Sequence, residues 1–372
     1  MTARVAIACS GLGHVRRGNE RWACTLAEAL HAAGVPVTLL GGGPLEPRCP
    51  YRRLWSWPRE HRLTRRVFSW DWRYRLEQLS FAAMLARWLR GEPHRVVHVP
   101  DPVLAWRLRR RGARLGAAVI YKDGLALGLP WCGKFAWVQV LAPYYRDLAA
   151  ARGTDTAAWF VIPHFVDTRR FHPPPDRVGV RAEVLGAAAA GVPLVLAVGD
   201  FSPESRKRLD WVVEEVARLP AAGGPHLLLA GNAHGSSAAR FERHARERLG
   251  RRLHLRANLP PERMPSLYRA ADVLAHAADR EPFGLVLLEA LASGLPVVGH
   301  RFPVTEWILR QGGQTVDMTV PGQLANVLAD WCGDPARRAA LGQAARAWAE
   351  TEFSPDRILP LYQRMYERVC LR

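Results

Sequence analysis

The stretch Glu281-Pro282-Phe283-Gly284-Leu285-Val286-Leu287-Leu288-Glu289-Ala290-Leu291-Ala292-Ser293-Gly294-Leu295-Pro296-Val297-Val298 decides the fold. Gly284 opens a helix that ends near Ser293 and Gly294, and an apolar strand follows at once. Just upstream, Tyr268-Arg269-Ala270-Ala271-Asp272-Val273-Leu274 leads into an earlier strand. The order strand, loop, helix, strand is one unit of a parallel sheet. The first N–H groups of such a helix lack intrahelical partners and carry about half a positive charge, an anion site suited to a diphosphate. Glu281 stands in the loop before the helix, within reach of a sugar hydroxyl. Glu289 lies five residues into the helix, roughly 7.5 Å further along. Two acceptor-only carboxylates flanking a phosphate cradle suit a polyhydroxy ligand. The plainer alternative makes Glu281 a helix-entry acid and Glu289 an ordinary surface residue.

Working outward, short β-branched and aliphatic runs recur between helical patterns in two series. The first comprises Val5–Cys9, Val37–Leu40, Val96–Val99, Ala117–Tyr121, Trp137–Leu141 and Trp159–Ile162; the second comprises Leu194–Val198, Leu227–Ala230, Leu253–Leu255, Val273–Ala275, Pro296–Val298 and Gln314–Val316. Between them Phe171-His172-Pro173-Pro174-Pro175-Asp176 reads as a stiff polyproline-type hinge. The expected architecture is α/β: two Rossmann-like, doubly wound parallel-sheet domains facing each other across a cleft, with binding loops at the carboxyl ends of the strands. The expected divisions are 1–172, a linker at 173–190, a second domain at 191–353 and a final helix at 354–372 packing back toward the first domain. Residues 51–75, rich in Arg and Trp, fit neither series and read as an insertion.

The chain has 372 residues, 49% hydrophobic and 23% charged, which excludes a disordered or low-complexity protein. Its net charge is +18 and its pI near 10.7, which bears on partners and not on fold. Arginine supplies almost all of the basic charge, since Lys122, Lys134 and Lys207 are the only lysines; a single lysine therefore weighs more than a single arginine. The six cysteines show no paired spacing, so neither a zinc site nor a disulfide framework is expected. The N-terminus lacks a signal-peptide layout, and the longest uncharged run, Val184 to Gly199, is broken by Gly191 and Pro193. A cytoplasmic protein is expected, possible at the inner membrane face only as a peripheral one.

The Glu281–Val298 block resembles the E-x7-E signature of the retaining glycosyltransferases of family 4, which have the GT-B fold. Other segments match in the same order. Ile162-Pro163-His164-Phe165-Val166-Asp167-Thr168-Arg169-Arg170-Phe171 is similar to the family's "IPNGVDTERF" segment; Leu196–Gly199 with Lys207–Asp210 is similar to its first C-terminal strand and phosphate-binding lysine. The resemblance is weak over about the first 155 residues and strong beyond. It implies that Glu281 contacts the donor sugar, that Glu289 holds the nucleotide's ribose, and that backbone amides of Phe283, Gly284 and Leu285 face sugar and diphosphate. Lys207 would neutralise charge on the departing diphosphate. No DxD-like motif appears in a suitable loop, so no metal or other cofactor is expected, the nucleotide-diphosphate sugar being the co-substrate.

The sequence departs from the family at Asp200, where an arginine is usual; Arg206 or Arg208 would supply that cation, and Arg206 is preferred. In Gly11-Leu12-Gly13-His14-Val15-Arg16-Arg17-Gly18-Asn19-Glu20 the glycines allow close backbone approach. Gly18-Asn19-Glu20-Arg21 resembles the family's "GGAER" turn, whereas Gly11–His14 is similar to the glycine–histidine loop of inverting GT-B enzymes. Gly13 and Gly18 are thus donor-side candidates and His14 an acceptor-side one. Where many members place a histidine after the strand Ala117–Tyr121, this chain has Lys122-Asp123-Gly124, which leaves Asp123 as candidate base. His98 and Asp101 end another strand, His98 as an acceptor-side candidate. The leading expectation is a retaining, metal-independent transferase acting on an acceptor hydroxyl, with an anionic or lipid-linked glycan as acceptor. The alternatives are an inverting transferase, a nucleotide-sugar epimerase, a donor-binding homologue without catalysis and, from another class, a basic nucleic-acid-binding protein.

Overall fold

A computed structural model describes residues 4–15, 17–92, 94–110, 115–124, 132–187 and 191–371. The chain divides into two compact units, Met1–His164 with Ile358–Arg372, and Phe165–Arg357. Each is built on its own parallel sheet.

The first unit has seven strands: β1 (Val5–Cys9), β2 (Val37–Gly41), β3 (Tyr51–Arg53), β4 (Val96–Val99), β5 (Ala118–Asp123), β6 (Trp137–Val140) and β7 (Trp159–Val161), in the order β3-β2-β1-β4-β5-β6-β7. All pairings are parallel, with Val5 opposite Val37 on one side of β1 and Val96 on the other. Alternate residues Ala6 and Ala8, Val97 and Val99, and Val138 and Val140 share one core with Phe81 and Leu85 of the helix Trp70–Gly91 and Leu104 and Leu108 of the helix Pro102–Arg109. The period of two along each strand puts these side chains on one face, and β1 is buried throughout.

The second unit has six strands: β8 (Leu194–Val198), β9 (His226–Gly231), β10 (Leu253–Ala257), β11 (Val273–His276), β12 (Val297–His300) and β13 (Gly313–Val316), ordered β10-β9-β8-β11-β12-β13. Val195 and Ala197, Leu227 and Leu229, and Val273 and Ala275 pack against Val212, Val213 and Val216 of the helix Leu209–Ala217 and against Phe241 of the helix Gly235–Leu249.

All twelve strands expected from the sequence form, within a residue or two at their ends. The region 51–75 needs a correction. It opens with β3, a parallel edge strand beside β2, and continues into the helix Arg62–Val67 and the start of the helix Trp70–Gly91. Three residues with two arginines carry too little apolar pattern to announce a strand; pairing with β2 supplies it. The division between units falls at His164, ahead of the expected 172. Phe171 is buried and edge-on to Tyr268, and Asp176 caps the helix Arg177–Leu185 by accepting from the Gly179 N–H, so the Pro-rich segment belongs to the second unit. The last helix, Pro355–Cys370, gives Tyr362 to the first unit, where its hydroxyl meets Trp22 Nε1 at 3.1 Å and Gln139 Nε2 at 2.9 Å. Among the described residues no helix is long and apolar enough to cross a membrane.

Candidate active site

In the second unit the carboxyl end of β11 and the helix Leu285–Ala292 build one site. Gly284 caps that helix at φ +86°, and a Cβ there would lie 2.9 Å from the Leu287 side chain and 3.0 Å from Glu281 Cγ. Only glycine takes this turn without strain. Among the described residues the N–H groups of Gly284 and Leu285 donate to no protein acceptor, which leaves the helix start open to an anion. The Phe283 side chain is buried in an aromatic cluster with Trp307 and Phe353, so it anchors the turn while its backbone lies at the helix mouth.

Glu281 is buried, and two side chains meet one of its oxygens: His276 Nε2 lies 3.0 Å from Oε2, and Lys207 Nζ donates to the same Oε2. Burial works against the charge, yet the His276 hydrogen bond and the Lys207 ammonium outweigh it and hold the Glu281 carboxyl at about 2. Burial also depresses the His276 imidazole, against the pull of Glu281, so it serves as a neutral donor. The second carboxylate oxygen is thereby left as an acceptor for a ligand hydroxyl. Glu289 is buried too, not the surface residue of the plainer alternative, and accepts from the Tyr268 hydroxyl at 2.7 Å.

Arg206 and Arg208 separate clearly. The Arg208 guanidinium is engaged by Asp210, with Nε to Oδ1 at 2.9 Å, and lies over the Trp211 ring at 4.1 Å. Arg206 is exposed, and its backbone carbonyl accepts from the Asp279 N–H, tying the Lys207 loop to the Glu281 loop. Asp200 is exposed and accepts from Asn232 Nδ2 at 2.8 Å.

The first unit carries its own polar cluster at the carboxyl ends of β1 and β4. Gly13, at φ +87°, packs its backbone against Gly43, leaving no room for a Cβ. His14 Nε2 lies 2.9 Å from Glu77 Oε2. Glu77 is fully buried and also accepts from Arg59 Nη2 at 2.6 Å and Ser10 Oγ at 3.0 Å. Burial would raise its carboxyl, but His14 and Arg59 hold it at about 2. Asp101 accepts from the Ser10 N–H at 2.9 Å, and burial raises its carboxyl against that bond. Gly18 opens the helix Gly18–Ala32 with free space around it.

His98 is not brought to this cluster. It is fully buried, with Nδ1 3.0 Å from the Tyr366 hydroxyl and its ring edge-on to Trp22 at 5.0 Å, and burial next to Lys122 lowers it to about 3. Asp123 ends β5, buried, and accepts from Cys132 Sγ at 3.4 Å. Its neighbour Lys122 is buried as well, donating to Asn19 Oδ1 at 3.1 Å over the Trp22 ring; burial lowers its ammonium to about 8 despite Asp123.

Sequence reasoning missed His276, Tyr268, Glu77 and Arg59. The one available signal was for His276, the only polar residue of β11, five positions before Glu281.

Comparison with known proteins finds a match in each unit. The family described as "Glycosyl transferases group 1" matches residues 186–348, and "Glycosyltransferase Family 4" matches residues 16–122. The chain belongs to the GT-B glycosyltransferases of family 4. This family 4 chain is 32% identical over 219 residues to a D-inositol 3-phosphate glycosyltransferase of Nocardia farcinica, covering 55% of this chain and 48% of that protein. It is 31% identical over 223 residues to a GDP-mannose-dependent alpha-(1-6)-phosphatidylinositol monomannoside mannosyltransferase of Mycolicibacterium smegmatis, covering 57% of each. The chain thus spans about half the length of the curated relatives it matches. Among solved structures, sucrose-phosphate synthase from Thermosynechococcus elongatus aligns with a TM-score of 0.81 at 22% identity, covering 98% of this chain and 99% of that one. Anabaena HepE in complex with UDP aligns with a TM-score of 0.77 at 16% identity, over 99% and 100%. At these identities the structures speak for the fold.

Proposed function

We propose that this family 4 chain transfers a sugar from a nucleotide-diphosphate donor to an acceptor hydroxyl, without a metal and with retention of configuration. The observation that carries the reading is the convergence of Lys207 and His276 on one oxygen of a buried Glu281, beside the open helix start at Gly284. In this reading the free oxygen of Glu281 accepts a donor-sugar hydroxyl. The N–H groups of Gly284 and Leu285, with Lys207 and Arg206, take the diphosphate charge that develops as the bond from the anomeric carbon breaks. The acceptor oxygen bonds to that carbon on the face the diphosphate leaves, and its proton passes to the departing phosphate oxygen. Glu289, oriented by Tyr268, holds the ribose. His14 and Asp123 are the residues we assign to the acceptor, which we take to be an anionic or lipid-linked glycan met at the cytoplasmic face of a membrane. The mannosyl and inositol phosphate relatives support a phosphorylated polyol class of acceptor.

One observation favours a second reading. The His14–Glu77 pair has the form of a base held by a carboxylate, as an inverting transferase would need. The anomeric configuration of the product, read by NMR, decides between them. A thermal-shift screen against nucleotide-diphosphate sugars tests the first step, because a donor stabilises only the folded state. Stabilisation by one or a few of these sugars, lost in Lys207→Ala, is expected; a flat screen refutes the reading.

A further inference from the structure

Among the described residues, six of the nine exposed large hydrophobic side chains fall between Trp55 and Trp72. They stay bare even where rings touch one another: Val67 is 74% exposed, Trp72 61%, Trp55 60% and Phe68 46%. The backbone is nevertheless tied down, with the Trp57 N–H donating to Ser80 Oγ at 2.9 Å and Arg73 Nη1 to the Arg59 carbonyl at 2.9 Å. The helix Trp70–Gly91 begins its buried face only at Glu77, so its first turns point outward. Trp55 and Trp57 touch edge to face, while Arg17 lies over Trp70 and Arg75 over Trp72. Between residues 51 and 75 eight arginines stand against two acids, Glu60 and Asp71. The same flank runs into a groove of about 860 Å³ that adds Arg4 and Arg87 beside Trp55 and Trp88.

A soluble surface rarely keeps so many large apolar groups bare at one place without a partner. We infer that this flank docks on an anionic phospholipid surface, the tryptophans with Val67 and Phe68 entering the boundary between headgroups and acyl chains and the arginines meeting lipid phosphates. The choice of partner follows from the residues. A glycan or a single-stranded nucleic acid would use aromatic faces and guanidinium groups, but it gains little from the aliphatic Val67. A bilayer uses all three, since rings and aliphatic groups enter its interface while the cations neutralise its surface. The inference deepens the membrane part of the transferase reading and rests on none of the residues assigned there to donor or acceptor.

The test is co-sedimentation of the full chain with vesicles of phosphatidylcholine alone and with one-third phosphatidylglycerol. Two double variants separate the contributions. Trp55→Ser with Trp72→Ser keeps every charge, and Arg62→Glu with Arg66→Glu keeps every ring. The wild type is expected on the anionic vesicles and not on the neutral ones. Each arginine lost at the surface weakens binding about fivefold, so the arginine pair loses about 25-fold or more. The tryptophan pair is expected to lose about tenfold, from the ring area it withdraws from the interface. At a net charge of +18 the chain could be held by charge alone. A tryptophan pair that binds like wild type would therefore overturn the inference. So would a wild type that ignores anionic vesicles, or one displaced from them by a single-stranded oligonucleotide at equal charge. Thermal shift with nucleotide sugars, run on the same preparations, confirms that the variants are folded. It also keeps the two readings apart, because it depends on Glu281 and Lys207 of the other unit.

Discussion

Consider Glu281→Gln. The substitution keeps the shape and an acceptor for the His276 N–H, but removes the charge that His276 and Lys207 stabilise. In the folded chain the Glu281 carboxyl is held at about 2 against an ordinary 4.5. At about 1.4 kcal/mol for each tenfold in proton affinity, that difference contributes about 3 kcal/mol to stability at neutral pH. Lys207 is one-third exposed, so its share is screened by water and salt, and a measured loss of about 2 kcal/mol is the reasonable expectation. The sign follows from linkage: a carboxyl depressed by folding stabilises above its unfolded value and loses that contribution as pH falls from about 4.5 toward 2. Urea denaturation of wild type and variant at pH 7, 5, 4 and 3, at low ionic strength, should therefore show a gap that is full at pH 7 and 5 and narrows below. A gap that stays constant with pH would show that the loss comes from packing and not from the charge. Equal stability at pH 7 would refute the whole account of the Glu281 site.

Three further outcomes follow from the same geometry. Gly284→Ala forces a side chain into the left-handed region against Leu287 and Glu281, which should cost about 1–2 kcal/mol in chemical denaturation and abolish nucleotide-sugar binding by calorimetry. Arg206→Ala should weaken donor affinity severalfold while Arg208→Ala leaves it near wild type, because Arg208 is already engaged by Asp210 and Trp211; equal effects in titration would reverse that assignment. Tyr362→Phe strands the buried Trp22 N–H and one of the two N–H groups of Gln139, whose other bond to the Ile162 carbonyl stays, and should lower stability by about 2 kcal/mol, seen as a drop in Tm without loss of donor binding.

What the amino-acid order determined by itself was everything carried by local periodicity. Short β-branched and aliphatic runs marked twelve of the thirteen strands, and Gly284 with its flanking acids marked the helix mouth, because turn geometry and strand pattern are properties of neighbours in the chain. The edge strand β3 escaped because three residues with two arginines have no pattern of their own and become a strand only through β2. The ends of the Pro-rich segment escaped for a similar reason: Phe171 joins the second unit through Tyr268, almost a hundred residues away. Site chemistry divided along the same line. Glu281, Glu289 and Lys207 could be named from spacing and resemblance. That Glu281 is ionised, held at one oxygen by His276 and Lys207 together, required three side chains from two separate loops and a strand end to meet. Likewise Glu77, mid-helix and silent in the sequence, becomes the partner of His14 only when the helix Trp70–Gly91 lies beside the β1 loop. Burial and charge pairing act through space, so only the folded chain could decide them.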